Sequence, residues 1–197
     1  MSVSTAPSAL VEATHRAAGA LSEMACREIS VGEVSVRQVP LSQITEVGGD
    51  PERAIVAIHI GVEGFGSHLL LAMGEPMARG LVDMLMGQSV GTTEELGEME
   101  ASALAEVGNV AGTYFLTAIA DATGATLPPT PPVVFYEMSG AILGTLAAEL
   151  AMSGVDDALV IDTNFFCDGQ AVEVAFYMFP DEAMLEALPG ALAGVGA

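Results

Sequence analysis

The longest regular pattern of hydrophobic and polar positions in this chain runs from Glu95 to Gly124. At 100° per residue its apolar residues fall on one stripe and its polar residues on the opposite side. The pattern therefore predicts one long helix whose polar side faces solvent. The predicted apolar stripe contains Leu104, Val107, Ala111, Tyr114, Phe115, Ala118 and Ala122, and the polar side contains Ser102, Glu106 and Asn109.

Two residues in the middle of this helix, Gly108 and Asn109, are poor helix formers. Together they cost about 1–1.5 kcal/mol relative to alanine. The sequence shows no packing that would offset this cost. Poor helix formers that are kept in a helix without a compensating contact indicate a functional role. The alternative is an ordinary solvated helix face that carries one carboxamide.

The predicted helices and strands follow the order helix, strand, hairpin, helix, and this order occurs twice along the chain. This order indicates an internal duplication within one domain, residues 1–197, with pseudo-repeats at about 8–87 and 95–192. The predicted fold class is α/β (α+β), with a mainly antiparallel or mixed sheet flanked by long helices. The first repeat comprises segments 8–29, 31–41, 54–62, 67–73 and 76–86, and the second comprises 95–124, 133–138, 158–166, 171–179 and 181–188.

The second repeat also contains an apolar helical segment, Ala141 to Met152, between its first strand and its hairpin. No counterpart is visible in the first repeat, so this segment breaks the predicted symmetry. It either packs against its own half of the sheet or forms a surface for a partner, because a large exposed apolar patch is unusual on a monomer.

Composition excludes two classes of function. The chain has 26 acidic residues, five arginines and no lysine, for a formal net charge of −21. Such a surface repels phosphate backbones and anionic lipids, so neither nucleic acid nor a membrane surface is an expected partner. The chain lacks an uninterrupted apolar run long enough to span a membrane and the layout of a signal peptide, so we expect a cytoplasmic protein.

The polar side of the long helix carries a recognisable spacing. The pattern Ser-x3-Glu-x2-Asn, followed after 22 residues by Pro, is formed by Ser102, Glu106, Asn109 and Pro132. It resembles the signature of the CheC/CheX/FliY phosphatase family. The resemblance implies a protein aspartyl-phosphate phosphatase, a hydrolase that acts on the CheY-like response regulator of chemotaxis.

The resemblance also implies roles for the motif residues. Glu106 would anchor on a lysine of the regulator, Asn109 would position the attacking water, and Ser102 and Pro132 would support the motif. Phosphoryl transfer needs mainly positioning of the nucleophile, a task that suits a carboxamide. No cofactor of its own is implied, and the Mg²⁺ would be bound by the phosphorylated regulator.

The first predicted repeat carries a degenerate copy of this motif. Ser8 and Glu12 match Ser102 and Glu106, but His15 stands where Asn109 is expected. The downstream proline is replaced by Gln38. We therefore expect little activity from the first copy.

Within the family, the duplication inside one chain resembles CheC-type proteins, and we expect a monomer. CheC-type proteins also bind the deamidase CheD, which makes the segment 141–152, with Thr145 and Glu149 on its outer side, a candidate CheD-binding surface. The competing function is a non-catalytic interaction module of the chemotaxis and flagellar switch system, similar to the middle domain of FliM. Retention of Glu106, Asn109 and Pro132 together favours the enzyme.

Overall fold

The computed structural model describes residues 3–47, 49–162, 165–172 and 174–187. The last residues of the second predicted repeat, 188–192, lie outside this part of the chain. The elements in chain order are β1 (Val3–Thr5), α1 (Ser8–Ala25), β2 (Ile29–Val31), β3 (Ser35–Pro40), α2 (Ile44–Val47), β4 (Ala54–Gly61), β5 (His68–Met73), α3 (Glu75–Leu85), α4 (Glu98–Thr123), β6 (Val133–Met138), α5 (Ser139–Met152), β7 (Asp157–Asp162), β8 (Phe165–Cys167), β9 (Gln170–Val172), β10 (Val174–Phe179) and α6 (Glu182–Ala187).

Seven strands form one antiparallel sheet in the order β1-β3-β7-β10-β5-β4-β6. The first long strand of each predicted repeat pairs with the hairpin of the other repeat, since β3 pairs with β7 and β6 pairs with β4. The two hairpins meet at the centre, where β10 pairs with β5. The division into two repeats stays a prediction, whereas the mixed helix and sheet class agrees with the sequence analysis.

Helices cover both faces of this sheet and enclose two hydrophobic clusters. On one face, α1 and α4 pack against each other and against the sheet, and their core includes Leu10, Leu104, Phe115 and Phe176. On the other face, α5 and α2 enclose a smaller core. Strands buried on both faces explain the continuous apolar runs of β5 and β10.

The predicted hairpin over residues 158–179 is divided between two sheets. Its outer parts, β7 and β10, pair in the large sheet, while its tip forms β8 and β9, which join β2 in a separate three-stranded sheet. The turn between β8 and β9 lies at Asp168-Gly169, a pair typical of hairpin turns, and both residues have positive φ angles, 50° and 76°. The change of sheet depends on β2, which lies far away in the sequence.

The expectation that the apolar segment 141–152 has no counterpart is wrong. A 3₁₀ turn, Leu41–Gln43, followed by α2 occupies the corresponding place between β3 and β4. The helix α5 buries Ile142, Leu143, Leu146 and Leu150. It packs on β6 of its own half and also on α2 and β4 of the other half, so its core extends across the predicted repeats.

Candidate functional site

The helix α4 presents the predicted site residues to solvent. Ser102, Glu106 and Asn109 are all exposed, and they lie on the side of the helix away from the buried Leu104, Val107 and Ala111. The carboxamide Nδ2 of Asn109 is 3.5 Å from Oε2 of Glu106, one helical turn earlier. A carboxylate and a carboxamide are therefore held side by side on a rigid helix.

Two members of the predicted apolar stripe are not in the core. Tyr114 is 48% exposed, and Ala122 near the helix end is also exposed. Gly108, Gly112, Leu116 and Ile119 are buried in addition to the predicted positions. The helical wheel gave the correct direction of the stripe, but the neighbouring elements set its width.

Gly108 has a packing role that the sequence did not reveal. The residue is buried, and a Cβ atom at this position would overlap Cγ2 of Ile58 in β4. The same Cβ atom would lie 3.3 Å from Cβ of Pro132. The expectation that nothing offsets the poor helix propensity of Gly108 is therefore wrong, because its missing side chain lets α4 approach the sheet closely.

This close approach also brings the motif proline to the helix. Pro132 is half-buried against the backbone of α4 at Gly108, the residue directly before Asn109. Gly112, one turn later, approaches Ile60 in the same way, since a Cβ atom there would lie 2.8 Å from its Cδ1. Three of the four motif residues thus lie on α4, and the fourth, Pro132, lies directly before β6 and packs against that helix.

The linker before α4 is tied down by a buried carboxylate. Asp83 in α3 accepts hydrogen bonds from the backbone N–H groups of Gly91, Thr92 and Thr93, and from the hydroxyl of Thr93. These bonds, led by the one from the Thr93 hydroxyl, lower the pKa of Asp83. The sequence analysis did not identify this anchor, which fixes the approach to α4.

The degenerate motif on α1 is also exposed, but its glutamate forms a salt bridge within the protein. Ser8, Glu12 and His15 all face solvent. The guanidinium of Arg16 donates from Nε to Oε1 of Glu12 at 2.8 Å and from Nη1 to Oδ2 of Asp121 in α4 at 2.8 Å. The carboxylate of Glu12 is therefore paired within the protein.

The two strand histidines form a pair on the other face of the sheet. Nε2 of His59 lies 2.9 Å from Nδ1 of His68, and Nε2 of His68 lies 3.8 Å from Oε2 of Glu149 in α5. Burial lowers the pKa of both imidazoles. Among the described residues no group of three or more histidine, cysteine, aspartate or glutamate side chains is placed to hold a metal ion.

The length and composition of α4 would also allow it to cross a membrane. Half of its most apolar window is buried inside the protein, where it packs against α1 and the sheet. A core helix has the same composition, so this feature is weak evidence for a membrane span.

The fold and the motif of α4 define the class of protein that this chain resembles. A model of the CheC-like family matches residues 99–136. These residues include Ser102, Glu106, Asn109 and Pro132. The resemblance that the motif indicated is therefore confirmed.

A characterised relative makes the similarity more specific. The chain is 29% identical over 176 residues to the CheY-P phosphatase CheC of Bacillus subtilis (strain 168), covering 87% of this chain and 84% of the relative. The structure of Thermotoga maritima FliY matches with a TM-score of 0.66 and 21% identity over 90% of this chain and 88% of FliY. The CheX-CheY-BeF3-Mg²⁺ complex from Borrelia burgdorferi matches with a TM-score of 0.53 and 19% identity over 88% and 96%. These structural neighbours confirm the predicted fold class.

Proposed function

We propose that this protein dephosphorylates the aspartyl phosphate of a CheY-like response regulator at the exposed side of α4. The observation that carries the proposal is the pair Glu106 and Asn109, exposed together with 3.5 Å between Oε2 and Nδ2. The relative in Bacillus subtilis is a CheY-P phosphatase, and a structural neighbour is a complex of CheX with CheY. Both support a CheY-like partner.

Asn109 and Glu106 have different roles in this mechanism. The carboxamide of Asn109 offers a donor and an acceptor, so it can hold a water in line with the bond from phosphorus to the aspartyl oxygen. Attack by this water breaks that bond, which releases inorganic phosphate and leaves the regulator's aspartate as a carboxylate. Glu106 pairs with a lysine of the regulator and sets the orientation of the two proteins. The Mg²⁺ that neutralises the phosphoryl group belongs to the regulator.

The first experiment measures phosphate release from a CheY-like receiver labelled with radioactive acetyl phosphate. We expect Asn109→Ala and Glu106→Ala each to lower the rate about 100-fold, because misplacing a reacting water costs an enzyme about this factor. Both side chains are exposed, so the melting temperature should stay close to that of the parent.

Thr117→Ala provides the control at another exposed position of α4, two helical turns beyond Asn109. It removes a hydroxyl outside the motif, and we expect a rate within about threefold of the parent. Parental turnover by the Asn109 or Glu106 variant would favour the non-catalytic interaction module over the enzyme.

We also propose that the outer side of α5 binds CheD. Thr145 and Glu149 are exposed there, and α5 lies on the opposite face of the sheet from α4. A partner on α5 would leave Glu106 and Asn109 free for the regulator. Titration of CheD should show weaker binding for Glu149→Arg and Thr145→Arg with unchanged phosphatase activity, and unchanged affinity in both variants would contradict this assignment.

A further inference from the structure

The strand β6 forms an open edge of the seven-stranded sheet. It pairs with β4 on one side and with no strand on the other among the described residues. Its large apolar side chains are between 42% and 56% exposed, and they are Val133, Phe135, Tyr136 and Met138. Proteins usually protect such an edge, because its free N–H and C=O groups are ready to pair with another strand.

The hydrogen bonds next to β6 show which of its backbone groups face outward. The N–H of Ser139 donates to the carbonyl of Arg53, and these two residues continue the register of the β4 and β6 pair. In an antiparallel pair, bonding alternates from residue to residue. Val134, Tyr136 and Met138 therefore direct their N–H groups away from β4. Of these three N–H groups, that of Met138 donates a hydrogen bond to Oε1 of Glu137.

A groove of about 470 Å³ lies beside this edge on the α5 face of the sheet. Phe135 and Glu137 of β6 form one side, and residues of α5 form the other. Its lining also includes the apolar side chains of Ile142 and Leu146, together with Thr145 and His59. A strand added to β6 would place every second side chain over this groove.

The charge of the groove selects the occupant. Glu137 and Glu149 stand at its two sides, and its lining includes neither arginine nor lysine. A second copy of this chain, with its own formal charge of −21, would bring like charges together at the edge. A segment that carries basic side chains would bring the opposite charge.

We propose that the β6 edge and its groove bind an extended segment of a partner protein whose groove-facing side chains are apolar at its centre and basic at its ends. The segment adds as a further strand to β6 through the N–H and C=O groups of Val134 and Tyr136. Every second side chain of the segment faces the groove. The apolar ones among them enter between Phe135 and Ile142, and the basic ones approach Glu137 and Glu149 on the same face. This surface shares Thr145 and Glu149 with the proposed CheD surface and adds the backbone edge of β6 to it. It lies apart from the proposed phosphatase site and does not depend on Glu106 or Asn109.

The test uses a fluorescent nine-residue peptide with lysine at positions 1 and 9, valine at positions 3, 5 and 7, and threonine at the even positions. Its odd positions all face the groove when it pairs with β6. The peptide is added to the full chain and followed by anisotropy. We expect binding, and we expect Tyr136→Pro to weaken it at least tenfold, because proline removes an outward N–H while the bonds to β4 remain. Tyr136→Phe is the matched control. It removes only the hydroxyl that donates to Glu75, so its affinity should stay within about twofold of the parent.

A second peptide, in which glutamate replaces lysine, separates the charge from the backbone pairing. It should bind at least tenfold more weakly than the lysine peptide. Equal affinity of the lysine peptide for Tyr136→Pro and Tyr136→Phe would show adhesion to the acidic surface as a whole and would overturn the proposal. The absence of any binding would overturn it as well.

Hydrogen exchange gives a result that does not depend on the proline variant, which could fail to fold. In the parent protein, the lysine peptide should slow exchange of the Val134 and Tyr136 amides at least tenfold. The amides of Phe135 and Glu137, which face β4, serve as internal references and should change little. Unchanged exchange at Val134 and Tyr136 with the peptide bound would place the peptide elsewhere and reject the edge.

Discussion

The helices α1 and α4 carry the same motif at the same register, yet only α4 keeps a free carboxylate and a carboxamide together. In α4, Glu106 is exposed beside Asn109. In α1, Glu12 is held by Arg16, which also binds Asp121 of α4. The predicted low activity of the α1 copy therefore has two grounds: His15 replaces the asparagine, and Arg16 occupies the remaining acid.

The two helices also differ at the residue before the third motif position. It is Gly108 in α4, where the backbone lies against Ile58 and Pro132. In α1 it is Thr14, a buried residue whose hydroxyl donates to the carbonyl of Leu10 within the helix. A glycine is needed only in α4, where a strand residue and the motif proline occupy the space of a side chain.

Among the changes that test this comparison of α1 with α4, Gly108→Ala should have the largest effect. The added methyl group overlaps Ile58, so α4 must move outward, and overpacking of this kind costs about 1–3 kcal/mol. Asn109 moves with the helix, and we expect phosphate release to fall at least tenfold. Urea unfolding and the labelled receiver assay measure the two effects.

The control is Gly19→Ala in α1, where a Cβ atom meets nothing within 4 Å. It should stabilise the protein by about 0.5–1 kcal/mol through helix propensity and leave the phosphatase rate unchanged. If both variants behaved alike, the close approach of α4 to the sheet would have no functional meaning.

Restoring the first site should produce a smaller change. In the register that places Ser8 on Ser102, His15 corresponds to Asn109 and Arg16 to Val110. We expect His15→Asn alone to give no gain, since Arg16 still pairs with Glu12. The double variant His15→Asn/Arg16→Val, made in the Asn109→Ala background, should raise the residual rate by no more than about a fewfold, because Gln38 replaces the proline and Thr14 replaces the glycine.

A rate for the double variant close to the parental rate would mean that neither the proline nor the glycine is needed. No gain above the Asn109→Ala background would show that they are indispensable. Arg16→Val alone in the same background separates release of Glu12 from the effect of the new carboxamide.

Acid sensitivity should distinguish the α5 face of the sheet from the α4 face. Burial lowers the pKa of His59 and His68, so the unfolded chain binds more protons than the folded one. Protonation of the two histidines therefore lowers the free energy of unfolding as the pH falls below about 6.5. Above that pH both are neutral in the folded and the unfolded chain, and they cause no further change. The parent should lose more stability from pH 7 to 5 than His59→Gln/His68→Gln, as measured by urea unfolding.

Thr117→Ala, which removes no titratable group, serves as the comparison on the α4 face and should follow the parental pH curve. Identical curves for the parent and the double histidine variant would contradict the linkage of the histidine pair to stability.

The smallest effect should come from Glu12→Ala. Because Glu12 already pairs with Arg16, its loss removes an exposed ion pair and no catalytic group. We expect a phosphatase rate within about twofold of the parent in the labelled receiver assay. A fall comparable to that of Glu106→Ala would show that the first copy is active.

The sequence by itself determined the helical register of α4 and the exposure of Ser102, Glu106 and Asn109. Those properties follow from a local period of 3.6 residues, which needs no knowledge of other elements. The paired hairpin of β4 and β5 and the positive φ angles at Asp168-Gly169 were predictable for the same reason. The spacing from Asn109 to Pro132 was also readable, although its meaning came from resemblance to a family.

Only the tertiary structure decided what surrounds these residues. Gly108 is buried because Ile58 and Pro132 reach the same point from β4 and the start of β6. The tip of the second hairpin leaves the large sheet because β2 pairs with β8. Arg16 reaches across to Asp121 because α1 and α4 pack side by side. Each of these contacts joins residues that are distant in the chain, and a short-range pattern of hydrophobic and polar positions carries no information about which distant elements meet.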